Sequence, residues 1–238
     1  MGKETSMIEI RPSAERGAFK NAWLDAKYSF SFNNYYDPRR MGFRALRVIN
    51  EDRFGGGQGF GMHPHDNMEI LTWVNSGALA HRDSTGGEGQ IGPGELQAMS
   101  AGSGVFHSEF NASKTEPVHL FQIWIEPDRE NVKPGYSQKT FDREARRNRL
   151  QLVASPSGDD GSLKIEADAK MYALVLDAGQ SVTLPVASGR AVWVQVAEGQ
   201  LTLNGQPLST GDGAAIQNEG ELTFTASVST ELIAFDLK

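Results

Sequence analysis

The sequence predicts an all-β fold of two antiparallel barrels with a few short helices, on three observations. First, short apolar runs rich in β-branched and aromatic residues recur along the chain. They are Leu46–Ile49, Glu69–Val74, Val118–Ile125, Tyr172–Leu176, Ala191–Val196, Gln200–Leu203, Leu222–Thr225 and Leu232–Phe235. Second, 26 glycines punctuate the chain. Turn signals separate the runs at Gly55-Gly56-Gly57, Asn75-Ser76-Gly77, Gly92-Pro93-Gly94, Asn204-Gly205 and Thr210-Gly211-Asp212. Many short strands between Gly-rich turns make a sandwich or a barrel. Third, helical period is weak everywhere, and the best short-helix segment is Phe141–Leu150.

Two barrels, rather than one, follow from a weak internal repeat. Gly77-Ala78-Leu79-Ala80-His81 is followed by Gly92-Pro93-Gly94-Glu95, and Gly199-Gln200-Leu201-Thr202-Leu203 by Ser209-Thr210-Gly211-Asp212. Each reads as a strand after glycine, then a tight Gly-acid turn. The boundary falls between Pro134 and Ser162, in a stretch holding Pro134-Gly135, the basic cluster Arg143–Arg149 and the polar loop Ser155–Gly161. The expected domains are 1–135 and 136–238.

Composition narrows the function classes. A chain of 238 residues buries about 70–75% of its unfolded surface and needs no covalent staple. It has no cysteine, so disulfides and thiolate ligands are excluded, which fits a reducing compartment and a cytoplasmic location. Met1 to Lys20 lacks the apolar core of a secretory signal. Met1–Ser6 reads as an extension ahead of a start at Met7. No apolar run approaches the roughly 18 residues of a membrane helix. Net charge is −7, split −3 over residues 1–135 and −4 over the rest. Without a basic face, direct nucleic-acid binding is disfavoured.

All five histidines (63, 65, 81, 107 and 119) lie in the first half. His63-Pro64-His65 places two imidazoles at i and i+2, on one side of a strand. Pro64 has no N–H, so the segment is not a fully laddered central strand. His107-Ser108-Glu109 repeats the spacing with a histidine and a carboxylate. Two such pairs on neighbouring strands converge on one point. Three neutral nitrogens and a carboxylate suit Fe(II), Mn, Co, Ni, Cu or Zn better than Mg or Ca. An octahedral ion so held keeps two open positions. His81, in His81-Arg82-Asp83-Ser84, reads as a structural histidine with Asp83 holding a loop, and His119 also reads as structural. Phe60, Met62, Gln97 and Met99 are candidates to line a substrate cavity. Trp124 and Phe121 read as core. Gly55–Gly57 lacks the following Lys-Ser/Thr and helix of a phosphate loop, which excludes that reading.

The surrounding pattern makes the His pairs specific. Gly57, His63, His65 and Glu69, then Gly104, His107 and Asn111, match the two signature motifs of the cupin superfamily. Gly59–His65, Glu69–Thr72, His81–Ser84, Met99–Glu109 and Gln122–Ile125 resemble the pirin family, above all bacterial pirin-like quercetin 2,3-dioxygenases. Trp23-Leu24-Asp25, Ser29–Phe32, Tyr35–Pro38 and Phe235-Asp236-Leu237 extend the resemblance over nearly the whole chain. It implies a bicupin fold, two double-stranded β-helix (jelly-roll) domains with the metal in the first only. It implies His63, His65, His107 and Glu109 as ligands, with Glu69 not a ligand. Gly102 stands where many cupins have proline, a departure that favours pirin.

The resemblance also implies an activity: metal-dependent opening of a flavonol such as quercetin by O2, releasing carbon monoxide and a depside. Fe(II) is the expected ion and Glu109 the expected general base, beside a small aromatic substrate. The alternative is a non-enzymatic regulator, sensing metal or redox state and acting through protein–protein contact. Its acidic surface favours a protein partner.

Overall fold

The structure, a computed structural model, describes residues 7–238, so the expected Met1–Ser6 extension lies outside the described residues. The first strands are β1 (Met7–Arg11), β2 (Gly17–Lys20), β3 (Leu24–Tyr28), β4 (Leu46–Phe54), β5 (Gly59–His65), β6 (Glu69–Ser76), β7 (Leu79–Asp83), β8 (Glu88–Ile91), β9 (Glu95–Ser100), β10 (Val105–Asn111) and β11 (Val118–Ile125). They continue as β12 (Gly135–Thr140), β13 (Gln151–Ser155), β14 (Leu163–Lys164), β15 (Ala169–Leu176), β16 (Ser181–Pro185), β17 (Ala191–Glu198), β18 (Gln200–Leu203), β19 (Gln206–Ser209), β20 (Gly213–Gln217), β21 (Glu221–Ala226) and β22 (Thr230–Leu237). Every strand expected from the sequence lies within one of these. The expected helix over Phe141–Leu150 does not form; the segment holds only the single 3-10 turn Glu144–Arg146. Asn148 ends it, because its φ is +52° and its N–H donates to the Val175 carbonyl, which draws the chain into strand pairing.

The chain folds as two compact units. One, here the N-terminal unit, comprises Gly17–Phe141 and Leu163–Ala167. The other, the C-terminal unit, comprises Asp142–Ser162, Asp168–Lys238 and the N-terminal stretch through Arg16. Neither is one continuous segment, in contrast to the linear division at 135/136. Hydrogen bonding between distant segments is the reason. β12 pairs with β9, which keeps the chain in the N-terminal unit through Phe141. β1 pairs with β20, which puts the start of the chain in the C-terminal unit. Glu166 N–H donates to the Glu69 carboxylate at 3.2 Å, tying Leu163–Ala167 to the N-terminal unit.

The N-terminal unit stacks a seven-stranded sheet, ordered β12-β9-β6-β11-β4-β3-β2, on a four-stranded sheet, ordered β5-β10-β7-β8. The C-terminal unit repeats the plan with β16-β21-β18-β19 and β20-β17-β22-β15. All of these pairings are antiparallel, and the two-sheet sandwich is the jelly-roll form that the repeat and the resemblance imply. The repeat is real in three dimensions: Gly77 joins β6 to β7 at φ +78°, and Gly199 joins β17 to β18 at φ +96°.

What differs is the filling. In the C-terminal unit β16 and β21 turn Leu184, Leu222 and Phe224 into a dry apolar core with Val194 and Leu203. In the N-terminal unit the corresponding strands β5 and β10 carry the histidines. Gly102 also finds its reason here. Its φ is +48°, and a Cβ there would lie 2.0 Å from the Val132 carbonyl oxygen. A proline, locked near φ −65°, does not fit. Gly102→Ala is expected to cost about 1–3 kcal/mol, read as a lower midpoint in chemical denaturation; an unchanged midpoint would refute the strain.

Candidate metal centre

β5 and β10 are neighbours in the smaller sheet, with His107 directly opposite His63 and Val105 opposite His65. Alternation along β10 buries His107, Glu109 and Asn111 and exposes Phe106 and Phe110. The register then slips: Glu109 faces Phe60, so two residues of β5, Gly61 and Met62, stand against Ser108. This is a β-bulge. It changes the parity of β5, so Phe60 enters the interior with the histidines although it is three positions from His63.

The three imidazoles converge. Ring centroids are 4.4 Å apart for His63–His107 and 4.8 Å for both His63–His65 and His65–His107. One ring nitrogen from each lies within 4.8 Å of the others. The Nε2 atoms of His63 and His107 are 3.0 Å apart. That is the separation of two adjacent ligands of one ion at metal–nitrogen bonds of about 2.1 Å. His63 Nδ1–H donates to the Gly61 carbonyl at 2.8 Å, a contact the bulge creates. It fixes the tautomer and leaves the Nε2 lone pair for the cluster.

Burial pulls the His65 imidazole down to about 4 and the His107 imidazole down to about 3, and the neighbouring imidazoles add to the effect. Both rings are therefore neutral at pH 7, the form that binds metal. In the metal-free protein the sign is set by the unfolded chain, where histidine titrates near about 6.5. Below that pH the unfolded state takes protons that the folded state refuses. Stability of the chelator-treated protein is thus expected to fall as pH drops from about 6.5 toward 4 and 3. Thermal midpoints across that range check this, and a flat profile would contradict it.

Glu109 is placed differently from the histidines. Its carboxylate groups with His107 and His81, within 4.8 Å, rather than with all three imidazoles. Gln122 Nε2 donates to both of its oxygens at 2.7 Å, and the Thr72 hydroxyl lies 3.4 Å from Oε1. Glu69 is buried elsewhere: its carboxylate accepts from Ser100 Oγ at 2.8 Å and from Glu166 N–H. Asn111 is structural, its amide donating to the carbonyls of Phe54, Gly55 and Glu116.

The cluster opens on a cavity of about 500 Å³, lined among others by Phe32, Asn50, Asp52, Phe60, Gln122 and Trp124. Phe60 leans edge-on toward His63, with centroids 6.4 Å apart, and Trp124 stands edge-on to His65 at 4.9 Å. Of the four candidate lining residues only Phe60 is in place. Met62 points outward and is 54% exposed, since it occupies the bulge. Gln97 is fully buried and donates to His81 Nδ1 at 3.3 Å. Met99 packs in the core with Ile70, Ala101 and Val105. Trp124, read from sequence as core, is cavity wall, while Phe121 is core.

His81 and Asp83 behave as the sequence suggests. His81 Nε2–H donates to Asp83 Oδ2 at 3.1 Å, and Asp83 Oδ1 accepts from Thr85 and Gly87 to hold the loop. Burial opposes ionisation of Asp83, but these hydrogen bonds outweigh it and hold the carboxyl below its usual range. His119 binds Glu51 at 3.0 Å and is structural.

The site residues that sequence reasoning missed are polar groups embedded in apolar runs. Asn50 and Asp52 in β4, Thr72 in β6 and Gln122 in β11 are all buried. That misfit was their one visible signal.

Comparison with known proteins agrees with the geometry. The pirin family profile matches residues 9–125, and that of the quercetinase C-terminal cupin domain matches residues 152–237. A quercetin 2,3-dioxygenase of Escherichia coli K12 is 47% identical over 231 residues, covering 97% of this chain and 99% of that one. A pirin-like protein of Caulobacter vibrioides is 39% identical over 231 residues, covering 97% and 99%. The crystal structure of YhhW from E. coli superposes with a TM-score of 0.94 at 47% identity, covering 98% of each chain. That of bacterial pirin YhhW in complex with nickel(II) gives 0.92 at 46%, covering 97% and 99%. The matched profiles, the full-length identity and the shared two-unit fold together establish that this chain belongs to the pirin family.

Proposed function

We propose that the chain is a metal-dependent dioxygenase that opens the flavonol ring of quercetin-like substrates with O2. One observation carries this: three converging imidazoles and a carboxylate stand at an aromatic-walled cavity large enough for a planar three-ring molecule. The naming of the E. coli relative as a quercetin 2,3-dioxygenase supports the same reading. His63, His65 and His107 would hold a divalent transition metal, with Glu109 as the oxygen donor beside them. Among Fe(II), Mn, Co, Ni, Cu and Zn we take Fe(II), since a nitrogen–carboxylate set with open positions suits oxygen chemistry.

When bound, the ion supplies Lewis acidity, lowering the pKa of a flavonol hydroxyl placed against it. The chain does the rest. Glu109 is the group to accept the hydroxyl proton, at a carboxylate oxygen. Gln122 and Thr72 aim that carboxylate. Phe60, Phe32 and Trp124 wall the cavity and would flank a flavonol plane there and keep water from it. The test is quercetin absorbance with iron-, manganese- and nickel-loaded protein, in air and without oxygen. Oxygen-dependent loss of the flavonol band is expected. A flat trace with every metal would overturn the reading.

A second reading, a regulator acting by protein contact, is favoured by one observation. Met62, Phe106 and Phe110 are exposed on the outward side of β5 and β10. A flat quercetin trace together with a captured partner lost on Phe106→Ser would select it.

A further inference from the structure

Register across the larger sheet of the N-terminal unit aligns one residue from each of five neighbouring strands. Tyr28 faces Asn50, Asn50 faces Gln122, Gln122 faces Thr72 and Thr72 faces Gln97. All five are polar and all are buried. A polar row across the middle of an apolar sheet is costly unless its members are hydrogen-bonded. Three of them are bonded to the smaller sheet or to each other: Gln122 and Thr72 to Glu109, and Gln97 to His81.

Of the members that line the cavity, Asn50 carries a buried oxygen, Oδ1, with no partner. The residue is 3% exposed. Asp52, two residues along the same face of β4, lines the same cavity, as does Tyr28. Asp52 adds to burial in pushing the Tyr28 phenol up to about 12, so Tyr28 stays a neutral hydroxyl. Asn50 stands opposite Gln122, which holds Glu109, so this wall is one strand spacing, about 5 Å, from the residue that aims the carboxylate.

We propose that Asn50, with Asp52 and Tyr28 beside it, forms a hydroxyl-recognition subsite that selects polyhydroxylated aromatic substrates over those without ring hydroxyls. It rests on the flavonol reading and deepens it. The chemistry of the wall specifies the ligand group. An amide offers both a donor and an acceptor, and a carboxylate only acceptors. A phenolic hydroxyl can donate to Asp52 or to the Asn50 oxygen and accept from the Asn50 amide. An anionic substituent would meet the Asp52 charge. An apolar one would leave the Asn50 amide unsatisfied, which is how a site built for a hydroxyl rejects the analogue lacking it.

The experiment compares quercetin with 3-hydroxyflavone, which keeps the 3-hydroxyl and 4-carbonyl and lacks the other hydroxyls. Metal-loaded protein is titrated with each without oxygen, and binding is followed by flavonol absorbance. Wild type is expected to prefer quercetin at least tenfold, and Asn50→Leu to reduce that ratio about tenfold. The same variant removes a buried, unsatisfied amide oxygen, so its thermal midpoint is expected to hold or to rise by about 2–4 °C. Asp52→Asn is expected to lower the ratio in the same direction. An unchanged ratio in Asn50→Leu would overturn the proposal, as would a fall in both its ratio and its midpoint, which marks a purely structural residue. Failure of wild type to bind either compound would overturn it too. If the ratios behave as expected but quercetin survives in air, the catalytic reading fails and the subsite stands.

Discussion

Replacing His63 with alanine is expected to take metal content from one ion per chain to a small fraction and to abolish flavonol turnover, with the fold intact. The cluster has three nitrogens, and His63 Nε2 sits 3.0 Å from His107 Nε2. Losing only an outer hydrogen-bond partner of a metal ligand costs about 10–100-fold in affinity, and losing the ligand itself exceeds that. His63 is half-buried at the cavity mouth, whereas His107 is 1% exposed. Truncating His63 therefore leaves no sealed void, and its circular dichroism and denaturation midpoint without metal should match wild type. Elemental analysis of untagged protein, made without a chelating column, is the measurement. Full turnover by a metal-free His63→Ala protein would sink the assignment.

Glu109→Gln is expected to separate metal binding from chemistry. The three imidazoles remain and the glutamine carbonyl keeps one oxygen donor in place, so far more metal should remain than in His63→Ala. The variant keeps the shape of the side chain but loses the charge and the basic oxygen. A positioned general base contributes about 10²–10⁴-fold, and a rate loss in that range is expected for quercetin opening. The Gln122 amide that now donates to both carboxylate oxygens would face another amide. Reorientation there adds to the loss without emptying the site. The decisive readout is the pH–rate profile. If Glu109 takes the proton, the variant's residual rate should climb with pH as solvent base substitutes for it. Equal loss of metal and activity would make Glu109 a ligand alone, and an unchanged rate would remove it from the chemistry.

Much of this was legible along the chain. Strand periodicity and Gly-rich turns gave the all-β class, and the weak repeat around Gly77 and Gly199 proved to be the same joint in both units. His63, His65 and His107 were recognisable because i and i+2 spacing puts side chains on one face of a strand, a purely local property. The absence of histidine after residue 119 confined any imidazole chemistry to the first half of the chain, and the other unit is filled by apolar side chains.

Other features were set by pairing between distant segments, on which local sequence is silent. The bulge opposite Ser108 depends on how β5 meets β10, and it alone brings Phe60 inward and sends Met62 outward. Gln97 and Met99 share β9 with cavity-ward neighbours, yet His81 and the Ile70 core claim them first. The exchange of β1 and β12 at the sheet edges depends on hydrogen-bond partners far along the chain. The sequence by itself therefore determined the architecture, the family resemblance and the three converging imidazoles. Only the tertiary structure decided which residues wall the cavity, that Gln122 and Thr72 hold Glu109, and that the Asn50 oxygen stands unpaired beside the cavity. The physical reason is register: a strand's own alternation says which residues share a face, but cross-strand pairing decides which face, and against what, each one is buried.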